Sequence, residues 1–360
     1  MDNQEWFSKE QLAFMNQPTM NRVSELVDNG ELAEAVNVTE SIKSEWGFLR
    51  KLMVDSTIEL LNYIELNFDE NRTDALNDLV SKVWQPAFLS IDDDIRMKVS
   101  SGITERWAHM GVDVWETAFI YQFSRKLLNE MTLPIKDQEL VEKLKEMDLS
   151  AAKALCKEVD DEWGLLHDLL VESIAALLTY IGNSFGEEQV GTSLKFMTEK
   201  VWKVPFEKIN SRDRKGVVLA LAATWRAHST GGVGPEAGGF TIEEDDEKFT
   251  FTLEPCGSGQ RLVNRGYYEE PAKFGKTKDA HPWSFDREDF PYYCAHCTYM
   301  NEVMPIEWSG APVYPLDPPK SFKEPCTWYY YKKPEDTPER FYQRYGYDKE
   351  TMLNKRKSLK

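Results

Sequence analysis

The chain repeats itself, and no other feature limits its possible folds as much. Glu45-Trp-Gly-Phe-Leu-Arg-Lys-Leu-Met-Val-Asp-Ser is echoed by Glu162-Trp-Gly-Leu-Leu-His-Asp-Leu-Leu-Val-Glu-Ser, and the echo runs on. Tyr63-Ile64 answers Tyr180-Ile181, Phe68 answers Phe185, Val83-Trp84 answers Val201-Trp202, and Ala108-His109 answers Ala227-His228. Across that length the offset moves only from 117 to 119 positions, so two one-residue insertions account for it. A match sustained this far marks a duplicated structural unit, not a shared composition.

Each copy reads as helical. Trp46, Leu49, Met53, Leu60 and Ile64 recur at steps of three, four and seven, which puts them on one helix face, and Trp163, Leu166, Leu170, Leu177 and Ile181 do the same. Two such faces bury each other, which predicts a pseudo-twofold helical bundle over residues 40–230, with one repeat at 40–132 and the other at 133–230. A helical segment, 1–39, precedes it, with a break at Pro18 and a turn at Asn29-Gly30. Positions kept in both copies are explained by packing. Positions whose chemistry differs are free for a separate task, and His167 stands opposite Arg50 while Asp168 stands opposite Lys51. His109 and His228 occupy equivalent places, where a twofold axis would bring them together. The plainer role for such residues is to satisfy backbone groups at a helix end.

After His228 the texture changes. Ser229-Thr-Gly-Gly-Val-Gly-Pro-Glu-Ala-Gly-Gly239 is too rich in glycine for a helix and marks the boundary of a C-terminal domain, 231–360. It lacks the Lys-Ser/Thr pair of a phosphate-binding loop and follows no apolar strand. Phe240–Glu244 and Lys248–Glu254 alternate around Asp245-Asp246-Glu247, a hairpin signature. Ala311–Pro315 and Cys326–Tyr331 are further strand candidates, and Cys297–Met304 and Pro338–Tyr345 read as helical. The fold class is therefore mainly α with a smaller α+β part. It consists of an internally duplicated helical bundle followed by a Cys/His-rich, aromatic-rich, metal-binding domain.

Four of the five cysteines, and two of the five histidines, lie between Cys256 and Cys326. Cys294 and Cys297 have the spacing at which one tight turn presents two thiolates to one ion. Cys256 follows a strand on the glycine turn Glu254-Pro-Cys-Gly-Ser-Gly-Gln-Arg261, and His281 precedes the pair in Asp-Ala-His-Pro-Trp. Cys256, His281, Cys294 and Cys297 complete a Cys3His set for zinc, with Cys326 the competing fourth ligand, because thiolates select zinc over magnesium or calcium. His296, between the two thiols, is expected to point outward.

A site that keeps only three of these ligands would activate water or a substrate heteroatom, in hydrolase or lyase chemistry on a small anionic molecule. Glu254 or His228 would act as general base, with His167 a further candidate, and Arg261 would clasp the anion. The expected pocket lies between bundle and C-terminal domain, lined by the glycine-rich segment. Two rival readings remain: Cys256 as a nucleophile paired with His281 or His228, with the amides of Gly257–Gly259 as an oxyanion hole, or a scaffold whose four-ligand zinc is structural.

Composition narrows the partners. A net charge of −18 disfavours a broad face for nucleic acid or anionic lipid. No apolar run approaches the roughly 20 residues of a membrane span, and the first residues lack the pattern of a secretory signal. Clustered cysteines in odd number suit a reducing, cytosolic setting. A homo-oligomer is compatible with the sequence.

Overall fold

The computed structural model describes residues 5–68, 72–84, 136–229 and 238–358. The N-terminal segment forms two short helices, α1 (Lys9–Met15) and α2 (Thr19–Asp28). Ser8 and Gln11 close a reciprocal capping box on α1. Pro18 starts α2, and Gly30, at φ +76°, turns the chain after it. The breaks fall where Pro18 and Asn29-Gly30 predict them.

Two long helices carry the repeated apolar stripes, α3 (Leu32–Asn67, 36 residues) and, further on, a helix of 37 residues. Between them the chain forms α4 (Arg72–Leu79), a π-turn at Val80–Trp84, and α5 (Asp137–Lys145). The second long helix is α6 (Leu149–Phe185), whose start is capped by Asp148. Gly186, at φ +96°, turns it into α7 (Glu187–Val201), which is followed by α8 (Lys203–Asn210) and α9 (Arg214–His228). Asp213 caps α9 by accepting from the Gly216 amide.

The long helices pack along each other, and residues 117 positions apart in the chain meet. Trp46 stacks on Trp163 with ring centroids 5.3 Å apart and planes 8° from parallel. Phe68 stacks on Phe185 at 3.7 Å and 2°. Leu60, Ile64, Leu170, Leu177 and Ile181 are wholly buried around them. Glu45 ties this core to α9: its carboxylate takes two hydrogen bonds from Arg226, at 2.7 and 3.1 Å, and one from Thr19 at 2.7 Å. Contrary to expectation, α6 is by length and composition able to cross a membrane, although 78% of its most apolar 18-residue window is buried inside the protein.

The C-terminal part carries one antiparallel sheet of four strands, β1 (Phe240–Glu244), β2 (Lys248–Leu253), β3 (Leu316–Asp317) and β4 (Cys326–Tyr331), in the order β1-β2-β4-β3. The hairpin and Cys326–Tyr331 are strands as expected. Ala311–Pro315 is not; the pairing falls on the next two residues instead. Phe249, Phe251 and Leu253 face inward from β2, as do Cys326, Trp328 and Tyr330 from β4. The chain's start is stitched to this sheet, since the amides of Trp6 and Phe7 donate to Glu244. One contiguous apolar core joins helices and sheet.

Replacing a buried, stacked tryptophan removes both area and a ring contact. Trp46→Ala is expected to lower unfolding stability by about 3–5 kcal/mol, against less than about 0.5 kcal/mol for the exposed Leu66→Ala. Urea denaturation of both variants checks this.

Candidate functional site

Strand register builds the first half of the site. Leu253 at the end of β2 pairs with Cys326 at the start of β4, so the turn that follows β2 carries Cys256 to the same end of the sheet. Gln260 locks the two together: its carbonyl accepts from the Cys256 amide at 2.7 Å, while its amide donates to the carbonyls of Phe322 and Glu324, just before Cys326. Glycines permit the close approach. A Cβ on Gly257 would lie 1.8 Å from the His228 carbonyl oxygen, and one on Gly259 would lie 2.5 Å from Cys294 Sγ. Gly238 abuts Gly257 in the same way, so three backbone segments converge where α9 ends.

The second half is the turn Tyr293–Thr298, which continues as a π-turn over Tyr299–Val303 and a short helix, α10 (Met304–Ser309). Trp202, at the end of α7, donates to the Met300 carbonyl at 2.8 Å and holds this segment on the bundle. His296 points inward, contrary to expectation. Its Nδ1 bonds the Tyr293 carbonyl and its Nε2 stands 3.5 Å from Cys297 Sγ. The backbone carbonyl immediately before the cysteine pair is what turns the ring.

Behind these groups lies a chain of charged and polar residues from α6, α9 and the turn after β2. Asp168 accepts from Arg261 and Arg265, each at 2.6 Å, and pairs with His167 Nδ1 at 2.9 Å. His167 Nε2 meets His228 Nδ1 at 2.8 Å. Burial alone would raise the Asp168 carboxyl, but the bond to His167 and the two guanidinium charges override it and hold it well below the usual range. Burial lowers His167, His228 and His296, favouring neutral rings. Burial also pushes the thiols of Cys294, Cys297 and Cys326 up, and the neighbouring sulfurs push in the same direction.

Cys256, Cys294, Cys297 and Cys326, together with His228 and His296, line one cavity of about 110 Å³ between helices and sheet. A single water needs only about 10–15 Å³ on the same measure, so an ion and a small molecule both fit. Leu49, Met53 and Trp225 wall it from the bundle; Phe290, Phe322 and Trp328 wall it from the other side. Among the described residues, no three His, Cys, Asp or Glu side chains already form a metal-holding cluster.

The remaining expected residues lie elsewhere. His281 does not line the cavity: it bonds Glu187 at 2.6 Å, sits 3.4 Å from Glu188 and stacks on Trp283. Glu187 also accepts from the amides of Lys278 and Asp279 and from Tyr292, so His281 belongs to a staple between α7 and the loop before the cysteine pair. Glu254 is exposed and outside the cavity. Arg261 is only 2% exposed and faces Asp168, not the cavity. His109, the expected axial partner of His228, lies outside the described residues, as do positions 230–237 of the glycine-rich segment. Compared with known proteins, the chain matches no protein family, no curated protein and no solved structure.

The contact at Gly257 is backbone against backbone and cannot relax by a rotamer change. Gly257→Ala is expected to lower stability by about 3 kcal/mol, whereas Gly47→Ala, in the interior of α3 with open space at its Cβ position, should raise it by about 0.5–1 kcal/mol. Equal effects in urea denaturation would contradict this account of the turn.

Proposed function

We propose that this protein is a cytosolic enzyme that acts on a small molecule in the cavity between its helices and sheet. The chemistry is of hydrolase or lyase type, through a metal ion held by cavity thiolates. The observation that carries this is the convergence of Cys256, Cys294, Cys297 and Cys326 on one cavity with two imidazoles. Burying four thiols together is unfavourable for thiolates in isolation and favourable around a soft cation, and for that donor set zinc is the first choice. When bound, zinc supplies Lewis acidity and a lowered pKa for water. Free cysteines throughout suit a reducing compartment.

The lining carries no lysine or arginine among the described residues, and Arg261 is committed to Asp168. The substrate is therefore a small molecule with an apolar body, its polar or anionic group directed at the metal. The helical part is read as a tandem duplication folded about a pseudo-twofold. This is supported by two stacked pairs, Trp46 on Trp163 and Phe68 on Phe185, each separated by the same 117 positions.

One observation favours a second reading. Cys297 Sγ, His296 Nε2 and the Tyr293 carbonyl form a thiol, base and orienting acceptor in series, the arrangement of a cysteine nucleophile. On this reading the nucleophile is Cys297; among the described residues no base bonds Cys256, whose thiol is 3.4 Å from Ser258 Oγ.

Elemental mass spectrometry of protein purified without added metal separates the two. The metal reading expects about one zinc per chain, lost in both Cys256→Ser and Cys294→Ser. Metal-free protein under reducing conditions, with Cys297 alkylated fastest, would overturn it in favour of the nucleophile.

A further inference from the structure

We infer that His228 is the nitrogen ligand of the cavity metal, its Nε2 lone pair aimed by the Asp168–His167 pair behind it. This rests on the thiolate-metal reading above and gives His228 the place that sequence proximity assigns to His281.

Hydrogen-bond bookkeeping fixes the direction of each proton. An ionised carboxylate only accepts, so His167 Nδ1 donates to Asp168. That carboxylate already faces two guanidiniums, Arg261 and Arg265. A third positive charge on the fully buried His167 would be uncompensated, so the ring is neutral. A neutral ring protonated on Nδ1 has its lone pair on Nε2, and the donor across 2.8 Å is therefore His228 Nδ1–H. His228, neutral in turn, keeps its own lone pair on Nε2. That nitrogen has no hydrogen-bond partner among the described residues, and the ring lines the cavity with the four thiols.

The same bookkeeping separates His228 from His296. His296 Nδ1 donates to the Tyr293 carbonyl, so its Nε2 also carries a lone pair, but Cys297 already engages it. Of the two cavity imidazoles among the described residues, His228 is the one whose Nε2 has no hydrogen-bond partner. Its backbone is held from both sides, since Trp163 Nε1 donates to the Ala227 carbonyl at 2.9 Å and Gly257 packs against its own carbonyl. A ligating histidine whose other N–H is fixed by a carboxylate-backed partner is the usual outer-shell arrangement of a metal site. His228 and two of the thiolates would supply the three protein ligands of a catalytic zinc.

The test uses the full chain loaded with cobalt(II), read by near-ultraviolet absorption and by X-ray absorption at the cobalt edge. Wild type is expected to show sulfur-to-cobalt charge transfer and an imidazole scattering signature. His228→Ala and His228→Gln should keep the first, lose the second and bind cobalt about 10–100-fold more weakly. His167→Phe should keep both signatures and weaken binding over the same range; unchanged affinity there would overturn the aiming role of His167. Charge transfer without an imidazole signature in wild type, or an undiminished signature in the His228 variants, overturns the inference and leaves the thiolate reading standing. No charge transfer in wild type removes both.

Discussion

The stack of Trp46 on Trp163 is the contact through which helices and site are joined. It lies between the two long helices, and Trp163 uses its indole N–H to hold the carbonyl immediately before His228. Trp46 has no such bond, which leaves its indole nitrogen buried without a partner. The two rings are thus alike as packing and unlike as polar groups. Area and dispersion come from both, while the positional constraint on the end of α9 comes from one. Glu45 adds a second constraint on the same helix through Arg226.

A buried carboxylate, two guanidiniums and two imidazoles are an expensive group to place beside an apolar core. Replacing such a network with hydrophobic residues often leaves stability unchanged or raises it, so its presence asks for a reason besides stability. The orientation of His228 is that reason here. Asp168 is one residue from His167 on α6, and after Cys256 Arg261 lies on the short helix Gly259–Asn264 and Arg265 caps its end, so the segment that carries a thiol also carries the charges that set the histidine. Displacing either would disturb Cys256 and His228 together.

Much of the helical part was legible because its information is local or repeated. The apolar stripes, the Pro18 and Asn29-Gly30 breaks and the β1–β2 alternation are short-range patterns. Aligning the two similar stretches was more productive than any motif: the positions where one has Arg50-Lys51 and the other His167-Asp168 are those that address His228. The cavity assignment was half legible. Three of the four expected ligands, Cys256, Cys294 and Cys297, line it, and Cys326 joins them through strand register. His281 and Arg261 do not, because partners more than 90 positions away, Glu187 and Asp168, engage them. His296 was misread because a backbone carbonyl, which no residue pattern reveals, turns its ring.

The central claim is that His228 and thiols of this cavity hold one ion. Crystals of protein grown without added metal, measured on both sides of the zinc absorption edge, test it most directly. The account predicts a single anomalous peak inside the cavity, within bonding distance of His228 Nε2 and at least two of the sulfurs of Cys256, Cys294, Cys297 and Cys326. A peak at His281 and Glu187, or none in protein kept reduced throughout, would contradict it.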